Sequence, residues 1–192
     1  MKRLFDMTMV LVTAAVWLPV LVVVGIAVCL ALGRPVFFVQ ERAGLKGRAF
    51  SLIKFRTMRP GDEPDTQRLT PFGRFLRATS LDELPELINV LRGEMALVGP
   101  RPLHMRYLPR YTAEQARRHE VRPGITGWAQ INGRNALTWE QKFVYDIWYV
   151  DHASVWLDLK ILWLTVWQVC SRRGINATGD VPVEEFMGTG RS

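Results

Sequence analysis

The sequence predicts a mainly helical α+β fold with an apolar N-terminal segment, and three features of its 192 residues carry that prediction. Residues 7–32 hold no charged side chain. Two β-rich runs, residues 36–40 and 49–55, flank a basic, glycine-containing connection and read as a hairpin. Beyond Ser80, Leu84, Leu87, Ile88 and Leu91 follow the i, i+3, i+4, i+7 spacing of a helix that Gly93 should end. An apolar fraction of 48% excludes a disordered chain, and 15 glycines and 11 prolines without period exclude a fibrous one. Two cysteines, Cys29 and Cys170, supply neither a disulfide framework nor a zinc cluster.

The charge-free run is long enough for a membrane span. It is too long for the apolar core of a signal peptide, and no small-residue cleavage pattern follows it. Lys2 and Arg3 precede it, and Arg34, Arg42, Lys46 and Arg48 follow it. Positive charge at both ends, with Pro19 in mid-run, permits a helix–break–helix that returns to the same membrane face. A single span tolerating one proline fits these facts equally well.

Positive charge is concentrated just beyond the run. Of the net +7, residues 34–110 hold +6, from 14 basic and 8 acidic side chains. This suits a membrane surface or an anionic substrate. Nucleic acid is the weakest partner, since the basic residues match no reader motif.

Residues 60–71 read as a polar loop, and 72–78 as a short basic helix carrying Arg74 and Arg77. Gly99-Pro100-Arg101-Pro102 is a stiff turn that presents an arginine. Residues 103–120 read as helical, and 121–135 as a structured glycine-rich loop. Residues 155–169 contain Trp156, Trp163 and Trp167 and suit either an amphipathic helix in a membrane interface or a buried core helix.

Asp82 and Glu83 are the candidate chemical centre. Ser80-x-x-Glu83 is a capping box by spacing, and acidic residues in a first turn complement the helix dipole. The same carboxylates beside Arg77 and Arg101 would suit displacement at phosphorus, where charge on the equatorial oxygens must be neutralised. Lys54 and Arg56, alternating with Phe55, read as an exposed strand edge or as part of such a site. The three histidines lack metal-ligand spacing, and no P-loop or dinucleotide fingerprint is present.

Four motifs occur in order: Lys54-Phe55-Arg56-Thr57-Met58, Ser80-Leu81-Asp82-Glu83-Leu84-Pro85-Glu86-Leu87, Gly99-Pro100-Arg101-Pro102, and the run from Val121-Arg122-Pro123-Gly124 through Gly127-Trp128-Ala129-Gln130-Ile131-Asn132-Gly133-Arg134-Asn135. Together they resemble the bacterial sugar transferases, or monotopic phosphoglycosyl transferases, in particular the small, PglC-like members. The resemblance runs from Lys2-Arg3 to the region around Phe186.

It implies transfer of a phosphosugar from a UDP-sugar to a polyprenyl phosphate such as undecaprenyl phosphate, with release of UMP. Asp82 matches the family's covalent nucleophile and Glu83 its dyad partner, with Mg²⁺ at the pair. Lys54, Arg77 and Arg101 match residues around the phosphates, and Gly127, Gln130, Asn132 and Arg134 lie in the loop near the nucleotide. Residues 1–33 would form a re-entrant anchor broken at Leu18-Pro19, where relatives often have Ser-Pro. Residues 34–192 would form one unit with it, a catalytic domain with interfacial amphipathic helices on the cytoplasmic face of the bacterial inner membrane. Bacterial inner-membrane lipid is then a partner, and a homo-oligomer is possible within this scheme. The contrasting expectation is a non-catalytic basic peripheral protein that binds anionic lipid.

Overall fold

The hairpin forms as expected, with β1 (Phe37–Ala43) and β2 (Ala49–Phe55) antiparallel and in register from Phe37 opposite Phe55 to Ala43 opposite Ala49. A tight turn over Leu45–Gly47 joins them, with Lys46 in the left-handed region. The computed structural model describes residues 1–133, 136–171 and 185–188. Around the hairpin stand α1 (Lys2–Val12), α2 (Ala14–Leu32), α3 (Asp65–Arg68), α4 (Pro71–Ala78), α5 (Glu86–Arg92), α6 (Ala113–Ala116), α7 (Trp128–Ile131), α8 (Trp139–His152) and α9 (Val155–Ser171). The fold is α+β and mainly helical.

A second, parallel pair, β3 (Ala96–Val98) and β4 (Gly124–Thr126), lies inside the stretch read as a glycine-rich loop. A side chain at position 124 would place its Cβ 2.1 Å from the Gly99 nitrogen, so glycine lets the two backbones meet. Residues 103–120, expected as one helix, are broken into a 3-10 segment at Met105–Arg110 containing Pro109, then α6, then a 3-10 turn at Arg117–Glu120. Pro109 lacks the donor a continuous helix needs, and Thr112 starts α6 afresh through a capping box with Gln115.

The apolar N-terminal run is helical through Leu18 and Pro19, contrary to the expectation of a break there. The interruption lies at Thr13, whose ψ is near zero. A proline disturbs the turn that precedes it, and here that is the first turn of α2. At the interruption, Thr13 Oγ1 donates to the Met9 carbonyl at 2.7 Å, and Trp17 Nε1 donates to the Val10 carbonyl at 2.9 Å. These bonds meet the requirement that exposed backbone groups in an apolar setting be satisfied locally.

Both helices lie along the body. Lys2 pairs with the buried Asp158 of α9, and Tyr149 donates to the same carboxylate at 2.6 Å. Arg3 donates to the carbonyls of Val90 and Leu91 at the end of α5, a cationic cap where the helix dipole is negative. Val10 and Trp17 pack with Phe50, Leu52, Val90 and Met95. Val24 and Val28 pack with Phe55 and Leu76. The opposite side of α2 exposes Val16, Val22, Val23, Ile26 and Leu30. Among the described residues, α2 is the one helix long and apolar enough to cross a membrane.

Helix α9 resolves the two readings of residues 155–169 into two faces. Asp158 and Ile161 are buried, while Trp156, Trp163, Val166 and Trp167 are exposed.

Asn89 of α5, fully buried, stitches the hairpin to the rest. Its Oδ1 accepts from the Ile53 N–H at 3.1 Å, and its Nδ2 donates to the Ser51 carbonyl at 2.8 Å and to Glu94 at 2.6 Å. One side chain thus does for β2 what another strand would do at its open edge. Replacing Asn89 by leucine leaves the Ser51 and Ile53 backbone groups unpaired, at a cost of about 3 kcal/mol. A melting temperature for Asn89→Leu equal to that of the wild type in detergent would contradict this role.

Candidate active site

Helix α4 begins with Thr70 capping it, the hydroxyl accepting from the Gly73 N–H at 3.0 Å, and carries Arg77 toward the centre of the molecule. After α4, Ser80 adopts left-handed dihedrals with φ at 56°, a conformation that costs a non-glycine residue about 1–2 kcal/mol. This reversal delivers Asp82 and Glu83 on a single 3-10 turn, Leu81–Glu83. The expected Ser80–Glu83 capping box is absent: Ser80 makes no side-chain cap, and Pro85 separates the turn from α5. The physical reason is competition for the Glu83 carboxylate, which two cations claim.

Lys54 Nζ donates to Glu83 Oε1 at 2.7 Å and also lies 3.1 Å from Glu86 Oε1. Arg101 Nη2 donates to the same Glu83 oxygen at 2.8 Å. Arg77 Nε donates to Thr57 Oγ1 at 3.0 Å and has no acidic partner among the described residues. Asp82 is buried, 9% exposed, and among the described residues its carboxylate takes part in no hydrogen bond or ion pair.

The two neighbouring carboxylates therefore differ. Burial, and then the charge of Glu83, push the Asp82 carboxyl up to about 6. Burial opposes ionisation of Glu83 too, but Arg101 and Lys54 outweigh it and bring that carboxyl down to about 2. Burial and the Glu83 charge also raise Glu86 to about 7.

A cavity of about 570 Å³ opens beside the pair, lined on one side by Arg77, Ser80, Glu83 and Arg101. Gln130 of α7 also faces it, with both side-chain polar atoms buried and without a hydrogen-bond partner. Asp82 and Lys54 stand just outside this lining; Lys54 and Arg101 border a smaller recess with Arg42 and Glu86.

The remaining sequence-derived residues divide. Gly127 is required by packing, because a Cβ there would meet the Gly99 carbonyl oxygen at 2.1 Å. Asn132 donates to the Trp128 carbonyl at 2.8 Å, closing the end of α7, and does not line the cavity. Arg134 lies outside the described residues. Arg56 is structural: it donates to the carbonyls of Leu32 and Gly33 at 2.5 and 2.6 Å, fixing the end of α2.

Arg42, in the sequence only a charge flanking the apolar run, lines the cavity too, as do Tyr107, Trp139 and Lys142, which the sequence reading does not single out. Only Trp139 and Lys142, three apart before an apolar helical pattern, left a trace that could have found them.

Because ionisation of Asp82 is opposed in the folded state, its charge costs folding energy above pH 6. Asp82→Asn should therefore melt higher than the wild type at pH 8, by on the order of 2 kcal/mol. The sign follows from a folded pKa above the unfolded one: the native advantage exists at low pH and is lost as pH rises through about 6. Melting curves at pH 4 and pH 8 test this, with the gap expected to close at the acid end.

The chain is 55% identical, over 99% of its length and 97% of the relative's, to the uncharacterized sugar transferase EpsL of Bacillus subtilis (strain 168). It is 41% identical to the UDP-glucose:undecaprenyl-phosphate glucose-1-phosphate transferase of Escherichia coli (strain K12), covering 88% of this chain and 40% of that protein. A protein of the same name from Xanthomonas campestris pv. campestris is 39% identical over 90% of this chain and 39% of its own length. The chain thus spans about two fifths of those two longer relatives. The family model described as bacterial sugar transferase matches residues 1–172, and the chain belongs to that family.

Proposed function

We propose that this protein transfers a phosphosugar from a UDP-sugar to a polyprenyl phosphate, releasing UMP, at the cytoplasmic face of the bacterial inner membrane. The observation that carries this reading is the asymmetry of the carboxylate pair. Glu83 is engaged through one oxygen by Lys54 and Arg101, whereas Asp82 is unpaired among the described residues and adjoins cations able to hold phosphate oxygens. UDP-glucose is the first donor to test, since it is named for the Escherichia coli and Xanthomonas relatives.

In the first half-reaction an Asp82 oxygen attacks the β-phosphorus of the donor. The bond from that phosphorus to the bridging oxygen breaks, and UMP leaves with the bridging oxygen. In the second, an oxygen of the polyprenyl phosphate attacks the same phosphorus and Asp82 departs as carboxylate. Arg77 and Arg101 neutralise charge on the equatorial oxygens in both steps. Glu83 keeps Lys54 and Arg101 in place and, being negative, makes Asp82 more basic than an ordinary aspartate. Gln130 offers an unspent donor and acceptor to the nucleotide sugar.

Mg²⁺ fits the donor set, because it commonly takes one or two carboxylates and completes its octahedron with water and phosphate oxygens. Asp82 and Glu83 would hold it, and among the described residues no larger cluster of acidic, histidine or cysteine ligands competes. When bound, it would supply further neutralisation of phosphate charge. Residues 1–33 serve on this reading as a re-entrant anchor for the catalytic unit of residues 34–192. The exposed apolar face of α2 and the tryptophans of α9 would contact lipid.

Purified chain in detergent, given UDP-glucose and undecaprenyl phosphate, should release UMP. Asp82→Asn should reduce that release by roughly a thousandfold or more. The wild-type rate should rise with pH through about 6 as Asp82 ionises, and chelation of divalent cations should abolish it. Binding to anionic vesicles without UMP release from any UDP-sugar would instead favour a non-catalytic peripheral lipid-binding protein.

A further inference from the structure

Lys142 of α8 stands in the wall of the large cavity with no acidic partner among the described residues. Its ammonium lies 4.7 Å from the centre of the Trp139 ring, one turn away on the same helix, which fixes its direction. The acidic side chains lining the same cavity are paired with other cations. Asp146 accepts from Arg118 at 3.0 and 2.6 Å in a buried pair, and Glu83 accepts from Lys54 and Arg101.

Apart from Asp146, one turn further along α8 and paired to Arg118, the charged neighbours of Lys142 in this cavity are mostly cationic. Arg42, Arg77 and Arg101 line the same cavity, and Arg42 spends its guanidinium on the Gln40 side chain and the Pro102 carbonyl rather than on an acid. Burial, and next the charge of Arg101, hold the Lys142 ammonium below its ordinary pKa. A lysine on a helix surface can turn outward into water. This one instead accepts partial burial and like-charge repulsion, a cost that an anion entering the cavity would offset.

We propose that Lys142 is a further phosphate-binding residue of this site, its ammonium holding a non-reacting phosphate oxygen of a substrate. This rests on the transferase reading for the source of that phosphate, which is either the diphosphate of the nucleotide sugar or the phosphate of the lipid acceptor. The role adds a contact that none of the four sequence motifs contains. Lys142 binds and orients; Asp82 remains the attacking group.

The full-length chain in detergent, as wild type, Lys142→Met and Lys142→Arg, decides the matter. Steady-state kinetics with each substrate varied in turn should show KM for one of them raised about tenfold or more in Lys142→Met, with kcat changed much less. A raised donor KM assigns the diphosphate, and a raised acceptor KM assigns the lipid phosphate. Lys142→Arg, which keeps the charge, should recover most of the loss. Titration calorimetry with inorganic pyrophosphate supplies a readout independent of turnover, with Lys142→Met expected to bind about tenfold more weakly. Unchanged KM for both substrates together with unchanged pyrophosphate affinity would overturn the proposal. So would a fall in kcat alone that Lys142→Arg fails to rescue. Failure of the transferase reading looks different: the wild type itself would release no UMP, while pyrophosphate affinity would still report on Lys142.

Discussion

Glu83 is bound by two cations from distant parts of the chain, and the organisation of the cavity follows from that one carboxylate. Lys54 arrives on β2 and Arg101 on the proline-flanked turn after β3, and both reach the same oxygen. Removing Glu83 would leave these cations facing each other beside Arg42, with the reluctantly ionised Asp82 and Glu86 near them. Breaking such a partly buried network by deleting its central charge costs far more than the net worth of any one pair. The same arrangement explains why Asp82 stays unpaired. The cations nearest the dyad are already satisfied, so Asp82 feels burial and a neighbouring negative charge without a direct contact to relieve them.

That geometry needs β2, α5 and β3 held in fixed relation, and the molecule does so with polar contacts inside an apolar setting. Asn89 pairs with β2 where no strand does, and Arg3 and Arg122 donate to carbonyls at the end of α5. The glycines of the β3–β4 pair let two backbones approach without side chains between them. Each contact satisfies a backbone group that would otherwise be buried unpaired. Small elements, none longer than 19 residues among the described residues, can in this way hold charged side chains to hydrogen-bonding distance.

Local signals proved readable where local physics decides. The hairpin, α4, the glycine that closes α5 and the adjacency of Asp82 and Glu83 all follow from period, turn chemistry or neighbouring residues. The failures came where a distant partner overrides the local preference. Ser80 and Glu83 carry capping-box spacing, yet Lys54 and Arg101, 29 and 18 residues from Glu83, take the carboxylate. Residues 124–126 look like loop until β3 supplies a parallel neighbour. One failure is local instead: Pro19 marks the N-terminal run as interrupted, but the backbone yields upstream at Thr13, where Trp17 and the threonine hydroxyl can absorb the disturbance. Lys142 belongs to none of the four motifs and leaves only its spacing from Trp139. Among the described residues no acid pairs with it, since Asp146, one turn along the helix, is taken by Arg118, and a sequence does not display such pairing in space.

Strand β2 links the apolar helix to the chemistry within one residue step. Phe55 packs against Val24 and Val28 of α2, while Lys54, its neighbour, pairs with Glu83 and Glu86. Successive strand side chains point to opposite faces, so a strand's thickness separates the two contacts. A shift of α2 relative to the body would have to displace Phe55, and with it the backbone that aims Lys54. If α2 rests in lipid as proposed, the carboxylate pair is therefore tied to the apolar helix through the thickness of one strand. An acceptor whose phosphate ends a long hydrocarbon chain must react at that depth, since its tail stays among lipids while its head group reaches the site. The fold thus fixes by covalent neighbourhood in one strand what a soluble enzyme would have to arrange by docking to a membrane.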